Sequence, residues 1–128
     1  MKKIIVFTML SCLFVLSGFA QIAHDLEIFS EDGLNFTLFV NGKKMNEIPQ
    51  ANVQIINIEN EYVQVKIKFE DSSIPDLDKK IVQIASPGTE EKKPMSVVYK
   101  IKEKKGVYKL RFVSRSDKMI QNEIIIVH

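Results

Sequence analysis

The sequence predicts an all-β fold: an antiparallel β-sandwich, Ig-like or jelly-roll-like, of about eight strands behind a signal peptide. Three observations predict it. Residues 21–128 hold 15 Ile and 10 Val against 5 Leu and 3 Ala, and β-branched side chains suit a pleated surface where Leu and Ala suit helices. Several stretches alternate apolar and polar residues with a period of two, the pattern of a half-buried strand. Gly, Pro, Asn and Asp interrupt these stretches at short intervals, as in small all-β domains. No apolar stripe of helical period is long enough for a helix; Ser116–Gln121 is expected to make one turn at most.

The elements follow in order. Lys2 and Lys3 precede the apolar run Ile4–Leu16, which is followed by Ser17-Gly18-Phe19-Ala20. A basic start, a short apolar run and small residues at its end make a signal peptide, with cleavage expected after Ala20. The run is shorter than the roughly 20 residues of a membrane span. Leu10-Ser11-Cys12 resembles the end of a lipobox, but too few apolar residues precede Cys12, and the chain after it stays apolar. The expectation is therefore a protein exported to the periplasm or secreted, without lipidation and without a membrane span after processing.

Strands are expected at Leu26–Ser30 and Asn35–Val40, joined by Glu31-Asp32-Gly33. Asn41-Gly42 then signals a type I′ turn, with a weak second arm at Lys43–Glu47 that stops before Pro49. Val53–Ile58 follows. In Tyr62–Glu70, Val63, Val65, Ile67 and Phe69 fall on one face and Gln64, Lys66, Lys68 and Glu70 on the other. Phe36 and Phe39 are expected on opposite faces of their strand, Phe39 buried. Later strands are expected at Lys80–Ala85, Ser96–Lys102, Val107–Val113 and Glu123–Val127. Ser96–Lys102 and Val107–Val113 read as a hairpin with the loop Glu103-Lys104-Lys105-Gly106, pairing Ile101 with Tyr108, Tyr99 with Leu110 and Val97 with Phe112. Every inward pair is then apolar, as a buried face requires. An outer-membrane barrel needs longer strands; Ser72–Asp78 and Ser86–Pro94 break the chain too often for one. One domain is expected over residues 21–128.

Charge and composition exclude several functions. The chain has 18 Lys and Arg against 16 Asp and Glu. Without Lys2 and Lys3 the balance is 16 against 16, a net charge of zero, which weakens the case for a nucleic-acid binder. Cys12 is the only cysteine, so no disulfide framework or thiolate chemistry is available beyond the leader. The two histidines, His24 and His128, sit near the ends of the processed chain, where side chains are usually poorly held, so a histidine relay is not expected. The metalloprotease, nucleophile-elbow, phosphate-loop and dinucleotide motifs are absent from the sequence. No cofactor and no catalytic residue is expected.

Two clusters are candidates for binding. Glu70, Asp71, Asp76 and Asp78 lie in one loop. Such oxygen ligands suit calcium, and a close carboxylate pair could hydrolyse glycosides. The spacing is not that of an EF-hand, and the lysines that follow favour a charge-balanced, solvated loop. Lys66 and Lys68, Lys100 and Lys102, and Lys109 and Arg111 each sit two apart on the outer face of a strand. The hairpin register places Lys100 opposite Lys109, and like charges directly opposite are destabilising. A bound anion, such as a sulfated or acidic glycan, a lipid headgroup or a nucleic acid, would relieve that repulsion; screening or neighbouring acids would as well. Aromatic residues do not interleave with these cations, so a base-stacking platform is not supported. Asn35-Phe36-Thr37 matches the glycosylation pattern, which a bacterial-style leader makes a chance occurrence.

Leu26-Glu-Ile-Phe-Ser-Glu-Asp-Gly33, Phe36-Thr-Leu-Phe-Val-Asn-Gly42, Ile48-Pro-Gln-Ala-Asn-Val53, Val65-Lys-Ile-Lys-Phe-Glu-Asp71, Ser73-Ile-Pro75 and Val98-Tyr-Lys-Ile-Lys102 together resemble the N-terminal β module of small secreted proteins of unknown function from Bacteroidota. The resemblance covers Leu26–Phe112. It implies a secreted, envelope-associated protein and carries over no catalytic residue. In that family a small second domain often follows the module; no room for one is expected before His128. The expectation is thus a non-enzymatic binding or scaffolding module. It would recognise another protein or an envelope component through a sheet face or a sheet edge.

Overall fold

The computed structural model describes residues 22–87 and 93–118. The expected leader, the Glu123–Val127 strand and His128 lie outside the described residues. The fold is all-β, with two packed four-stranded sheets and no helix among the described residues. The strands are β1 (His24–Ser30), β2 (Phe36–Val40), β3 (Lys43–Lys44), β4 (Asn52–Ile58), β5 (Tyr62–Phe69), β6 (Leu77–Gln83), β7 (Met95–Lys104) and β8 (Val107–Asp117). One sheet runs β4-β1-β7-β8 and the other β3-β2-β5-β6. We call them sheets A and B.

Alternation decides which side chains meet between the sheets. Leu26 and Ile28 of β1, Phe36 and Leu38 of β2, Val63, Val65, Ile67 and Phe69 of β5, and Val97, Tyr99 and Ile101 of β7 are all buried. Their neighbours in sequence point outward. Removing such apolar area from water, at about 25 cal/mol per Å², is what holds the layers together. Phe36 is fully buried, as its parity requires, whereas Phe39 is only half-buried on the outer face of sheet B. There it lies under the Lys66 ammonium, 5.9 Å from the ring centroid. The expected burial of Phe39 is corrected accordingly, because the strand's core parity is already occupied by Phe36, Leu38 and Val40.

One pairing departs from the antiparallel expectation. β1 pairs with β7 in parallel, Leu26 beside Val97 and Ile28 beside Tyr99. A parallel pair needs a long crossover, and here the crossover includes all of sheet B. The β7–β8 hairpin is also tighter than expected. Its loop is Lys105-Gly106 alone, with Lys104 paired to Val107, Ile101 to Leu110 and Tyr99 to Phe112. Lys105 (φ 54°) and Gly106 (φ 80°) are both left-handed, the backbone of a two-residue I′ turn. Glu103 Oε2 accepts the Gly106 N–H at 2.6 Å. The register has slipped by two residues, an even number, so every side chain keeps its expected face. A bulge between Val98 and Tyr99 shifts the pairing of the β8 end. β8 runs on through Ser116 and Asp117, so the helical turn expected from Ser116 does not form there.

The free edge of β2 is closed by a side chain. β3 covers only Phe39 and Val40. Beyond it, Asn46 Oδ1 accepts the Leu38 N–H at 2.8 Å, and Asn46 Nδ2 donates to the Phe36 carbonyl at 3.0 Å. Gln50 exchanges two backbone hydrogen bonds with Phe36. An amide thus stands in for a strand along the part of β2 that β3 leaves uncovered.

Candidate functional site: the outer face and edge of sheet A

The six cations expected to act together do not share one surface. Lys66 and Lys68 project from the outer face of sheet B, while Lys100, Lys102, Lys109 and Arg111 project from the outer face of sheet A. The single six-residue site is therefore corrected to a quartet. The cross-strand pairs are Lys100–Arg111 and Lys102–Lys109 rather than Lys100–Lys109. The shorter loop moves the partner by two residues and keeps the like-charge juxtaposition. Glu31 reaches Lys100 at 3.2 Å. Among the described residues, Lys102, Lys109 and Arg111 have no acidic group within 4 Å. On sheet B, Lys66 is held by Asp76 at 3.7 Å and by the Phe39 ring.

The four acids of the 70–78 loop are not brought together. Glu70 accepts a hydrogen bond from Asn35 Nδ2 at 3.1 Å. Asp71 Oδ1 accepts from both the Ser73 hydroxyl (2.6 Å) and the Ser73 N–H (3.0 Å). These two bonds to the ionised form hold the Asp71 carboxyl below the usual carboxylate range. Asp76 faces Lys66, and Asp78 lies opposite Lys66 in the β5–β6 register. Among the described residues, no three His, Cys, Asp or Glu side chains gather as metal ligands would.

The outer face of sheet A is polarised from end to end. Asp25 and Glu27 of β1 lie beside Ser96 and Val98 of β7. Farther along, Phe29 lies between Asn52 and Lys100, and the cation quartet follows. A shallow hollow of about 180 Å³ sits at the acidic end, lined by Asp25, Glu27, Gln54, Ile56, Ser96 and Val98. The buried Oδ1 of Asp25 is held by the Lys118 ammonium at 3.1 Å as an ion pair. Glu27 accepts from Asn52 Nδ2 at 2.7 Å. At the acidic end Asp25 is paired with a cation and Glu27 is hydrogen-bonded by a neutral amide, while at the cationic end Lys100 alone of the quartet meets an acid among the described residues.

β8 is where sheet A ends. Three of the seven exposed large apolar side chains are on it: Val107, Phe112 and Val113. Its inner face is only partly covered. Tyr108 packs on Phe69 of sheet B, ring centroids 5.2 Å apart, while Phe112 is half exposed and meets the edge of Tyr99 at 5.6 Å. Farther along, Arg115 ties the two sheets together. Its guanidinium donates to the carbonyls of Gln83 (3.0 Å) and Ile84 (3.3 Å), and it lies over the Phe112 ring at 4.9 Å. Tyr99 Oη donates to the same Gln83 carbonyl at 3.2 Å.

Sequence reasoning missed this clasp, and it also missed His24. His24 is buried, and its Nδ1 accepts the Met95 N–H at 3.0 Å. Alternation was the one signal for it, because His24 shares the parity of Leu26 and Ile28. Burial raises the Tyr99 hydroxyl above its ordinary value, partly offset by the Arg115 charge and the hydrogen bond to Gln83. A raised folded value means that the neutral phenol contributes stability below the unfolded value of about 10. That contribution is lost as pH rises through the folded value. Denaturation at pH 7 and above pH 10 is expected to show a larger alkaline loss for the native chain than for Tyr99→Phe. Equal alkaline losses would contradict this role of Tyr99.

No family profile, curated protein or solved structure matches this chain. The class is therefore defined by the fold and the surface alone: a β-sandwich whose polar, apolar and charged features concentrate on one sheet and its terminal strand.

Proposed function

We propose that this protein is an exported, non-enzymatic module that binds a protein or an envelope component through sheet A, at its outer face and its β8 edge. One observation carries the reading. Exposed apolar side chains (Val107, Phe112, Val113) and cations that have no acidic partner among the described residues (Lys109, Arg111) occur together on β8, at the limit of a sheet, with Lys102 beside them on β7. Exposed apolar groups beside uncompensated charge are features of an interaction surface. The basic, apolar start of the sequence supports export. A photo-cross-linking residue at Val107, compared in the producing cells with one at Thr37 on sheet B, tests the reading. A discrete adduct is expected from position 107 alone. Adducts from position 37 only, or from neither, would refute it.

A second reading has its own support. Lys102 opposite Lys109 and Lys100 opposite Arg111 repel one another, and a bound anion or acidic glycan would remove that cost. In this reading the side chains bind and the backbone edge is idle.

A further inference from the structure

Resting on the sheet A reading, we infer that β8 accepts an added β-strand, and that its partner is an extended segment alternating acidic and apolar residues. The backbone argument comes from the hairpin. In a two-residue hairpin the closing pair, here Lys104–Val107, exchanges both hydrogen bonds, and the next pair does not. Lys109 and Arg111 therefore bond toward β7, while Tyr108, Leu110 and Phe112 direct N–H and C=O away from it. The Ile101 carbonyl agrees. It accepts from the N–H of Glu31, the residue that follows β1, at 3.0 Å, so Ile101 and its partner Leu110 form a pair without mutual hydrogen bonds. Among the described residues, no strand pairs with β8 on its far side.

The other edges are less suited. β3 has two residues, and Asn46 and Gln50 close β2 beside it. β4 is broken by Asn57, which is left-handed at φ 62°. β6 leads into Gln83 and Ile84, whose carbonyls Arg115 occupies. β8 is the longest strand, at 11 residues.

The side chains specify the partner. A strand laid beside β8 would continue the pleat. Its residues on the inner face would cover Leu110 and half-exposed Phe112, so they are apolar. Its residues on the outer face would stand about 5 Å from Lys109 and Arg111, so they are acidic. The nearby acids do not compete, since Glu103 bonds the Gly106 N–H and Asp117 pairs with Lys93 at 3.2 Å. A second copy is disfavoured. A two-fold centred on Leu110 would set Lys109 against Arg111 of the other chain. The cations that keep copies apart thus also set the sign of the partner.

The test uses the 15N-labelled protein and three synthetic peptides, read by titration and by amide exchange. One alternates Glu and Val, one alternates Lys and Val, and one is the Glu–Val peptide with alternate backbone amides N-methylated. The Glu–Val peptide is expected to bind and to slow exchange at Tyr108, Leu110 and Phe112. The other two are expected to bind at least about tenfold more weakly, and Lys109→Glu with Arg111→Glu to reverse the preference between Glu and Lys. Equal binding of the methylated and unmethylated Glu peptides would overturn strand addition and leave the anion reading. Binding of none of the three would overturn the inference, while the position-107 adduct would separately decide the sheet A reading.

Discussion

Phe36→Ala is expected to lower the free energy of unfolding by about 3–5 kcal/mol, the cost of emptying a large aromatic site in a packed core. Phe36 has no exposed surface. It sits between Phe69 of β5 and Gln50, and its carbonyl accepts from Asn46. Packing around it is therefore fixed on both sides, and little collapse can fill the cavity. Native domains are stable by about 5–15 kcal/mol, so the loss is a large share of the total. A urea titration reads it as a lowered midpoint at unchanged slope. Phe39→Ala is the control. Phe39 is three residues away on the outer face and loses mainly its Lys66 contact, for which about 1 kcal/mol is expected. Equal costs at the two positions would mean that the faces of β2 are wrongly assigned.

His24→Ala is expected to cost about 2–4 kcal/mol. The imidazole is buried and accepts the Met95 N–H. Truncation leaves that donor without its acceptor, at about 1–3 kcal/mol, and adds lost packing. The effect falls on the start of both β1 and β7, the parallel pair at the centre of sheet A. His24→Asn keeps an acceptor one bond from Cγ and is expected to recover part of the loss. The difference between the two variants in thermal or urea unfolding measures the hydrogen bond. If His24→Ala unfolds with the native midpoint, the histidine has no structural role.

These residues mark how far the sequence could be read. Period-two alternation is a property of the chain itself, so the inward faces of β5 and β7 were legible in Val63, Val65, Ile67, Phe69, Val97, Tyr99 and Ile101, and that of the first half of β8 in Tyr108, Leu110 and Phe112. Alternation fixes a face and not a neighbour. Nothing in it distinguished a parallel from an antiparallel partner for β1, and the hairpin register moved by two, exchanging partners while leaving Tyr108, Leu110 and Phe112 on the inward face. The missed contacts join side chains to backbone groups eight or more residues away in the chain. Asn46 seals the edge of β2, Arg115 reaches Gln83 and Ile84, and His24 takes the Met95 N–H. A carbonyl or N–H is the same at every position, so composition cannot show which one a side chain will meet. Among the candidate site residues, the pairwise spacing of the cations was visible. Their division between two opposite faces was not, because it depends on which strands share a sheet.

Amide hydrogen exchange along β8 tests the open edge most directly. Lys109 and Arg111, bonded toward β7, are expected to exchange slowly, and Tyr108, Leu110 and Phe112, directed outward, to exchange fast although they lie within the same strand. Uniform protection across residues 108–112 would mean that another segment already occupies the edge, and the strand-addition proposal would fall with it.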